Sequence, residues 1–175
     1  MTTRYTWRDV FTDDELDALH AEGFGHPRRS VGWRARVERH SLGWVCARPL
    51  AADPLTATSL TDGRTTVAPP TGTALTGTAL TGTASTGTPP AAAPLTGFVN
   101  VAWDGGAHAF LLDTVVATAA RHTGVGTGLV AAAADGARAA GCEWLHVDFE
   151  PHLRAFYLDA CGFRSTDAGL LRLRM

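Results

Sequence analysis

From Thr71 a five-residue unit, TGTAL, runs twice, returns as TGTAS and decays to TGTPP at Pro90. Its flanks are equally rich in Ala, Thr, Pro and Gly. Between Pro49 and Thr96 the only charges are Asp53, Asp62 and Arg64, and there is no aromatic residue. Such a stretch buries too little apolar surface to offset the entropy of ordering it. Its period of five also matches none of the solenoid repeats, whose units are longer. We expect a disordered, low-complexity insertion over residues 49–96, which leaves the rest of the 175-residue chain to form one domain. A glycosylated stalk would need secretion, and the N-terminus, MTTRYTWRDVFTDDEL, turns acidic before any apolar run of a leader could form.

The remaining composition excludes several classes. Apolar residues reach 45%, enough for a core, and the net charge of −2 gives no strong pull toward nucleic acid. All basic residues are Arg, with no Lys. The loose group from Arg28 to Arg39 reads as a solvated helix face interrupted by Trp33 and Val37. Cys46, Cys142 and Cys161 are odd in number and far apart, which suits free thiols in a reducing cytoplasm better than a disulfide framework or a zinc site. The most apolar later stretch is broken by Arg121, His122 and several glycines, so no membrane span is expected.

With residues 49–96 set aside, two strands become neighbours: Gly43 to Arg48 and Gly97 to Asp104. Asp104-Gly105-Gly106 then turns into a third, His108 to Ala117. The insertion therefore falls in the tip of a hairpin, where loop closure grows only logarithmically more costly with length. Upstream, Thr12 and Glu15 form a capping box, with Val10 or Phe11 placed to staple against Leu16, so a short helix runs to about Gly23. A second helix is expected from about Gly32 to Arg39. Downstream, a helix spans Thr127 to Ala140 and stops at Gly141. Trp144 to Glu150 alternates as a strand, His152 to Ala160 reads as helix, and Leu170 to Leu173 as a closing strand. The order predicts a mixed α/β fold in three layers, helices on both faces of a mixed, mostly antiparallel sheet.

The sharpest local signal lies between strand and helix: Arg121-His122-Thr123-Gly124-Val125-Gly126-Thr127-Gly128. Glycines there let successive backbone N–H groups turn toward one point, and the helix start adds partial positive charge, a combination that cradles phosphate. A P-loop needs Lys, which the chain lacks. A dinucleotide fingerprint needs its third glycine one residue later, and the chain is too short for a doubly wound sheet.

Arg121, Gly124 and Gly126 after a strand, followed by Phe156-Tyr157 and Gly162-Phe163, resemble the GNAT superfamily of N-acetyltransferases. The likeness runs from about Phe98 to Phe163. It implies a GNAT-like α/β/α domain that transfers an acetyl group from acetyl-CoA to a primary amine of a small molecule or peptide, without a metal. It implies that Thr114, Val115 and Val116 pair with the pantetheine arm. It also implies that Arg121, His122, Thr123, Gly124, Val125, Gly126 and Thr127 hold the pyrophosphate. In such enzymes a Tyr often protonates the departing thiolate, and Tyr157 is the matching residue. Asp113 stands where the family often carries Glu, as base or substrate ligand, with a structural hydrogen-bonding role as the rival reading. Strand parity puts Asp113 with Leu111 and Val115, opposite Leu112 and Thr114. His146, Asp148 and Glu150 would share a face of the next strand and line the acceptor cleft, while His20, His26 and His108 show no spacing that marks a site.

This chain differs from the family pattern at three places. Thr118 replaces a usual Pro, His122 and Thr123 replace a Gly and a basic residue, and Gly162 follows Tyr157 one position later than is common. A coenzyme A-binding module without catalysis is therefore the alternative function. A cytoplasmic enzyme is expected, with a homodimer allowed and no nucleic-acid or membrane partner.

Overall fold

The computed structural model describes residues 2–50 and 93–173, so most of the expected insertion lies outside the described residues. Five strands form one sheet in the order β1 (Thr3–Trp7), β2 (Gly43–Pro49), β3 (Gly97–Trp103), β4 (His108–Val116) and β5 (Trp144–His146). Neighbours from β1 to β4 are antiparallel, and β4 pairs with β5 in parallel. The β2–β3 hairpin expected across the insertion is present, with Ala47 opposite Gly97. The described ends of the low-complexity stretch belong to the fold. Pro49 pairs with Thr3, Leu95 is buried, and the Thr96 amide donates to the Ala47 carbonyl at 2.9 Å.

Pleating sends alternate residues to opposite layers. Val45, Ala47, Val99 and Val101 pack against α3 (Val125–Ala139), whose Leu129, Val130 and Ala133 complete that core. Cys46 and Phe98 face the other way, toward Leu16 and Leu19 of α1 (Asp13–Phe24) and Trp33 and Val37 of α2 (Trp33–His40). The result is the expected α/β/α sandwich. The capping box forms as read: Thr12 Oγ1 accepts from the Glu15 amide at 3.1 Å, and Glu15 accepts from the Thr12 amide at 2.9 Å. Phe11, rather than the exposed Val10, shares the core with Leu16. Burial at Cys46 raises its thiol pKa to about 12, so it packs as a small apolar group.

Four expectations need correction. The first strand was missed, although Tyr5 and Trp7 show its period of two. These rings fit only because α3 carries glycine where they lie: a Cβ at Gly128 would overlap Tyr5, and one at Gly136 would overlap Trp7. Strand β5 ends at His146 rather than Glu150. The helix expected over 152–160 is a 3₁₀ turn, Pro151–Leu153, followed by a π-helix, Ala155–Ala160. Leu170 to Leu173 forms no strand, and Leu170, Leu171 and Leu173 are exposed. Strand propensity depends on a partner to pack on, and three residues of β5 offer little edge.

The glycine packing makes a prediction that runs against helix propensity. Alanine in a helix interior is favoured over glycine by about 1 kcal/mol, so Gly136→Ala would ordinarily stabilise. Here the methyl group meets the Trp7 indole. Overpacking of this kind typically costs about 1–3 kcal/mol. Urea denaturation should show Gly136→Ala less stable than the parent protein, whereas a gain in stability would mean that Trp7 moves aside freely.

Candidate active site

Beyond β4 the chain makes a 3₁₀ turn, Thr118–Ala120, then a tight loop into α3. His122 (φ 61°) and Gly124 (φ 88°) both adopt the left-handed conformation. Thr123 and Thr127 turn their hydroxyls inward, donating to the Ala120 carbonyl at 2.7 Å and the Gly124 carbonyl at 2.8 Å. No backbone amide from His122 to Thr127 donates to a described backbone carbonyl, and Gly124, the N-cap, has no side chain to cap the helix. These donors stand at the positive end of a 15-residue helix, the arrangement that binds anions.

Arg121 does not point its hydrogen bonds into this ring of amides. Its Nε donates to the Val116 carbonyl at 3.2 Å and its Nη2 to the Gly23 carbonyl at 3.3 Å, tying the loop to the ends of β4 and α1. Glu22 accepts from the Thr118 amide at 2.7 Å, a second tie between the same segments. Gly126 has a separate reason to lack a side chain, since a Cβ there would stand 3.0 Å from the Phe156 ring.

Thr114, Val115 and Val116 close β4. Val115 and Val116 pair with Phe98 and Gly97 on the β3 side. On the other side β5 pairs only with His108 to Phe110, so the edge beside the last residues of β4 has no strand partner among the described residues. Their side chains differ in setting, with Val115 buried in the α1–α2 core and Val116 packed against the α3 core.

The parity expected for Asp113 is broken by a β-bulge. Leu112 pairs with Asn100 and Val115 with Phe98, so Asp113 and Thr114 together oppose Val99 alone. Asp113 absorbs the extra residue with φ 51°. The pleat changes phase there: Leu111 packs on the α3 side and Val115 on the α1–α2 side. Asp113 turns toward α1, its Oδ1 3.5 Å from His20 Nε2, while its Oδ2 is enclosed without a hydrogen-bond partner among the described residues.

His20, which no spacing in the sequence marks, stands beside Asp113. It belongs to a cluster drawn from three elements. Its Nδ1 lies 2.7 Å from His26 Nε2, and His26 Nδ1 lies 2.8 Å from the Pro27 carbonyl. Phe24 and Trp33 hold its ring at centroid distances of 4.4 and 4.7 Å. Burial lowers the His20 pKa, and the Asp113 carboxylate opposes that shift. Asp17 steadies the connection that carries His26, accepting from the Arg29 amide at 3.0 Å and the Trp33 indole at 3.3 Å. The available signal was the helical stripe Leu16–His20–Phe24, which places His20 on the inward side of α1.

Tyr157 sits inside the α3-side core, stacked on Phe149 at 4.9 Å and edge-on to Phe156 and Phe163. Its hydroxyl lies near Thr114, and burial raises its pKa. The extra residue before Gly162 is taken up by the π-helix, whose wider turn puts the Cys161 amide on the Phe156 carbonyl at 3.0 Å. Tyr157 therefore stays directed at β4 despite the longer spacing.

His146 and Asp148 line a cleft of about 1120 Å³ bounded by α3, β4, β5 and the C-terminal segment, and Glu150 does not. The end of β5 at His146 removes the shared strand face expected for the three. Of the residues assigned to catalysis or cofactor binding, this cleft touches Thr127 alone, and it reaches β4 as far as Leu112 beside the bulge. Among the described residues no cluster of His, Cys, Asp and Glu could hold a metal, and no helix is long and apolar enough to cross a membrane.

An open edge beside the end of β4, a bulge in that strand and a glycine loop capping the following helix are the features of the site, and the comparisons assign them to an acetyltransferase scaffold. The model of the acetyltransferase (GNAT) family matches residues 70–163, and this chain belongs to that family. Its structure is similar to the aminoglycoside N-acetyltransferase AAC(6')-Iy in complex with CoA, with a TM-score of 0.58 at 15% identity, covering 99% of this chain and 97% of that one. It is also similar to a probable acetyltransferase from meticillin-resistant Staphylococcus aureus (TM-score 0.59, 13% identity, 99% and 100% covered). A third likeness is to glucosamine-6-phosphate N-acetyltransferase from Arabidopsis thaliana (TM-score 0.56, 12% identity, 97% of each covered). No curated protein sequence matches the chain.

Proposed function

We propose that this protein transfers the acetyl group of acetyl-CoA to a primary amine on a small polar molecule or peptide, in the cytoplasm and without a metal. The observation that carries the reading is the run of uncommitted amides from His122 to Thr127 at the start of α3, beside a strand whose far edge is open. Those amides suit a pyrophosphate, and the open edge at Thr114, Val115 and Val116 suits an amide-bearing arm. Acetyl-CoA would supply an activated thioester carbonyl. Arg121 contributes by bracing the loop rather than by contacting phosphate.

The chain's own groups then divide the proton work. Asp113 stands at the bulge beside the end of β4, facing the helices that shape the acceptor side, and takes the proton that the amine must lose before it can attack. Tyr157 offers its hydroxyl from the α3-side layer, opposite Asp113. A thiol has an ordinary pKa near 8.5 and a phenol near 10, and burial raises Tyr157 further. Tyr157 therefore serves best as a hydrogen-bond donor to charge gathering on sulfur. The solved relatives include enzymes named for aminoglycoside and glucosamine-6-phosphate acetylation, which supports an amine acceptor and leaves its identity to experiment. No specific observation favours a module without catalysis.

The direct test is release of free thiol from acetyl-CoA across a panel of amino sugars, polyamines and short peptides. Amine-dependent turnover well above hydrolysis by water is expected for one class. Turnover no faster than hydrolysis with every amine would reject the proposal.

A further inference from the structure

We propose that His20 and Asp113 act as one basic pair that takes up a single proton from the acceptor ammonium, and that His26 is the positioning residue that sets the pair's state. This deepens the acetyl-transfer reading and rests on it.

The inference follows from counting hydrogens along a row of contacts. The Pro27 carbonyl can only accept, so the 2.8 Å contact places a hydrogen on His26 Nδ1. Neutral His26 then has a lone pair at Nε2, and the 2.7 Å contact requires the hydrogen of His20 to sit on Nδ1. The opposite tautomer of His26 would set two lone pairs against each other at the carbonyl. In the neutral row, therefore, His20 Nε2 carries a lone pair, and it faces Asp113 Oδ1 across 3.5 Å. Two acceptors confront each other there, and one proton between them would satisfy both. The side chains are 14% and 21% exposed, so the pair is sheltered yet reaches solvent. Asp113 Oδ2 is enclosed, which leaves Oδ1 as the oxygen through which the carboxylate acts.

The surroundings support a switch of one proton and no more. Asp113 comes from β4, and His26 and Arg29 from the α1–α2 connection. Burial, then any charge on His26 and on Arg29, opposes a positive His20, whereas Asp113 favours it. From α1 and α2 the ring meets Phe24 and Trp33, with Arg36 lying over the same indole at 5.3 Å.

The chemistry balances with a single proton stored. An arriving ammonium gives one N–H proton to the pair and becomes a neutral amine. Its lone pair forms the N–C bond at the thioester carbonyl, the C–S bond breaks, and its electrons leave on sulfur. A second N–H proton ends on the thiolate, giving an amide and a thiol. The stored proton returns to solvent before the next cycle.

Two measurements test this. Ring ¹⁵N spectra of the cofactor-free protein should show His20 and His26 both protonated at Nδ1 when neutral, with Nε2 of His20 gaining the proton as pH falls. Neutral His20 protonated at Nε2 instead would overturn the assignment, whatever the enzyme acetylates. In kinetics, His20→Phe keeps the ring stacking and should lower kcat/KM about 10²-fold at neutral pH, within the usual range for general bases. That loss should shrink toward the amine's own pKa, and a loss equal at every pH would mark a purely structural role and overturn the pair. Gln at position 26 can still accept from His20 Nδ1, so His26→Gln should retain activity that His26→Leu loses; equal losses would count against the positioning role. Thermal stabilisation by coenzyme A should be unchanged in all three variants. If coenzyme A fails to stabilise even the parent protein, the cofactor reading fails by itself, and the tautomer spectra still decide the pair.

Discussion

Replacing Gly124 by valine is expected to remove the thermal stabilisation that coenzyme A gives the parent protein while leaving the cofactor-free fold intact. At a hundred times its Kd a ligand that binds only the folded state adds about 2.7 kcal/mol. For a domain of this size that is roughly 5–10 °C in Tm. Gly124 holds φ 88°, in the left-handed region that a β-branched residue strongly resists. Relieving that strain, about 1–3 kcal/mol, reorients the peptide units on both sides and scatters the amides that converge at the start of α3. The loop is exposed at Gly124 and a side chain would meet little there, so the core does not depend on it. Gly126→Val should also weaken binding, for another reason: it displaces the Phe156 ring. Thermal melts with and without millimolar coenzyme A check both variants. An undiminished shift in Gly124→Val would remove the loop from the cofactor site.

The second large effect is expected at Tyr157. Tyr157→Phe should lower kcat by about 10²-fold or more, the usual contribution of a positioned proton donor, with little change in coenzyme A affinity. The ring's contacts with Phe149, Phe156 and Phe163 survive the substitution, so the folded protein should lose only a hydroxyl. Because burial raises the phenol's pKa above its ordinary value, Tyr157 stays protonated through the neutral range and should add no alkaline loss of rate there. Steady-state rates with the best amine, measured from pH 6 to 9.5, test both points. Unchanged turnover would make Tyr157 a packing residue with no part in stabilising the charge on sulfur.

Local chemistry was legible where it depends on neighbours in the chain. The Thr12–Glu15 box, the Gly141 stop and the strand-loop-helix of 121–128 need only short-range sterics and hydrogen bonding, whereas the first helix runs past the expected Gly23 to Phe24. The join of β2 to β3 across residues 51–92 was readable from composition, because a stretch without aromatic residues stands apart from the alternating strands beside it. The solvated side of α2 was readable as well, from Arg34, Arg36 and Arg39 around the buried Trp33 and Val37.

What the amino-acid sequence by itself determined was most of the elements from Thr12 to Ala140, the family likeness and the glycine-rich turn from strand to helix, since caps, periods and glycines act within a few residues. Tertiary structure alone decided how those elements meet. The bulge at Asp113 exists only as a mismatch with β3, so no reading of β4 in isolation could show that Leu111 and Val115 part to opposite faces. The glycines of α3 gain their meaning from Tyr5 and Trp7, more than a hundred residues earlier. His20, His26 and Asp113 become one cluster because α1, its following connection and β4 converge. A proton's place between two side chains is set by distance in space, which spacing along the chain does not encode.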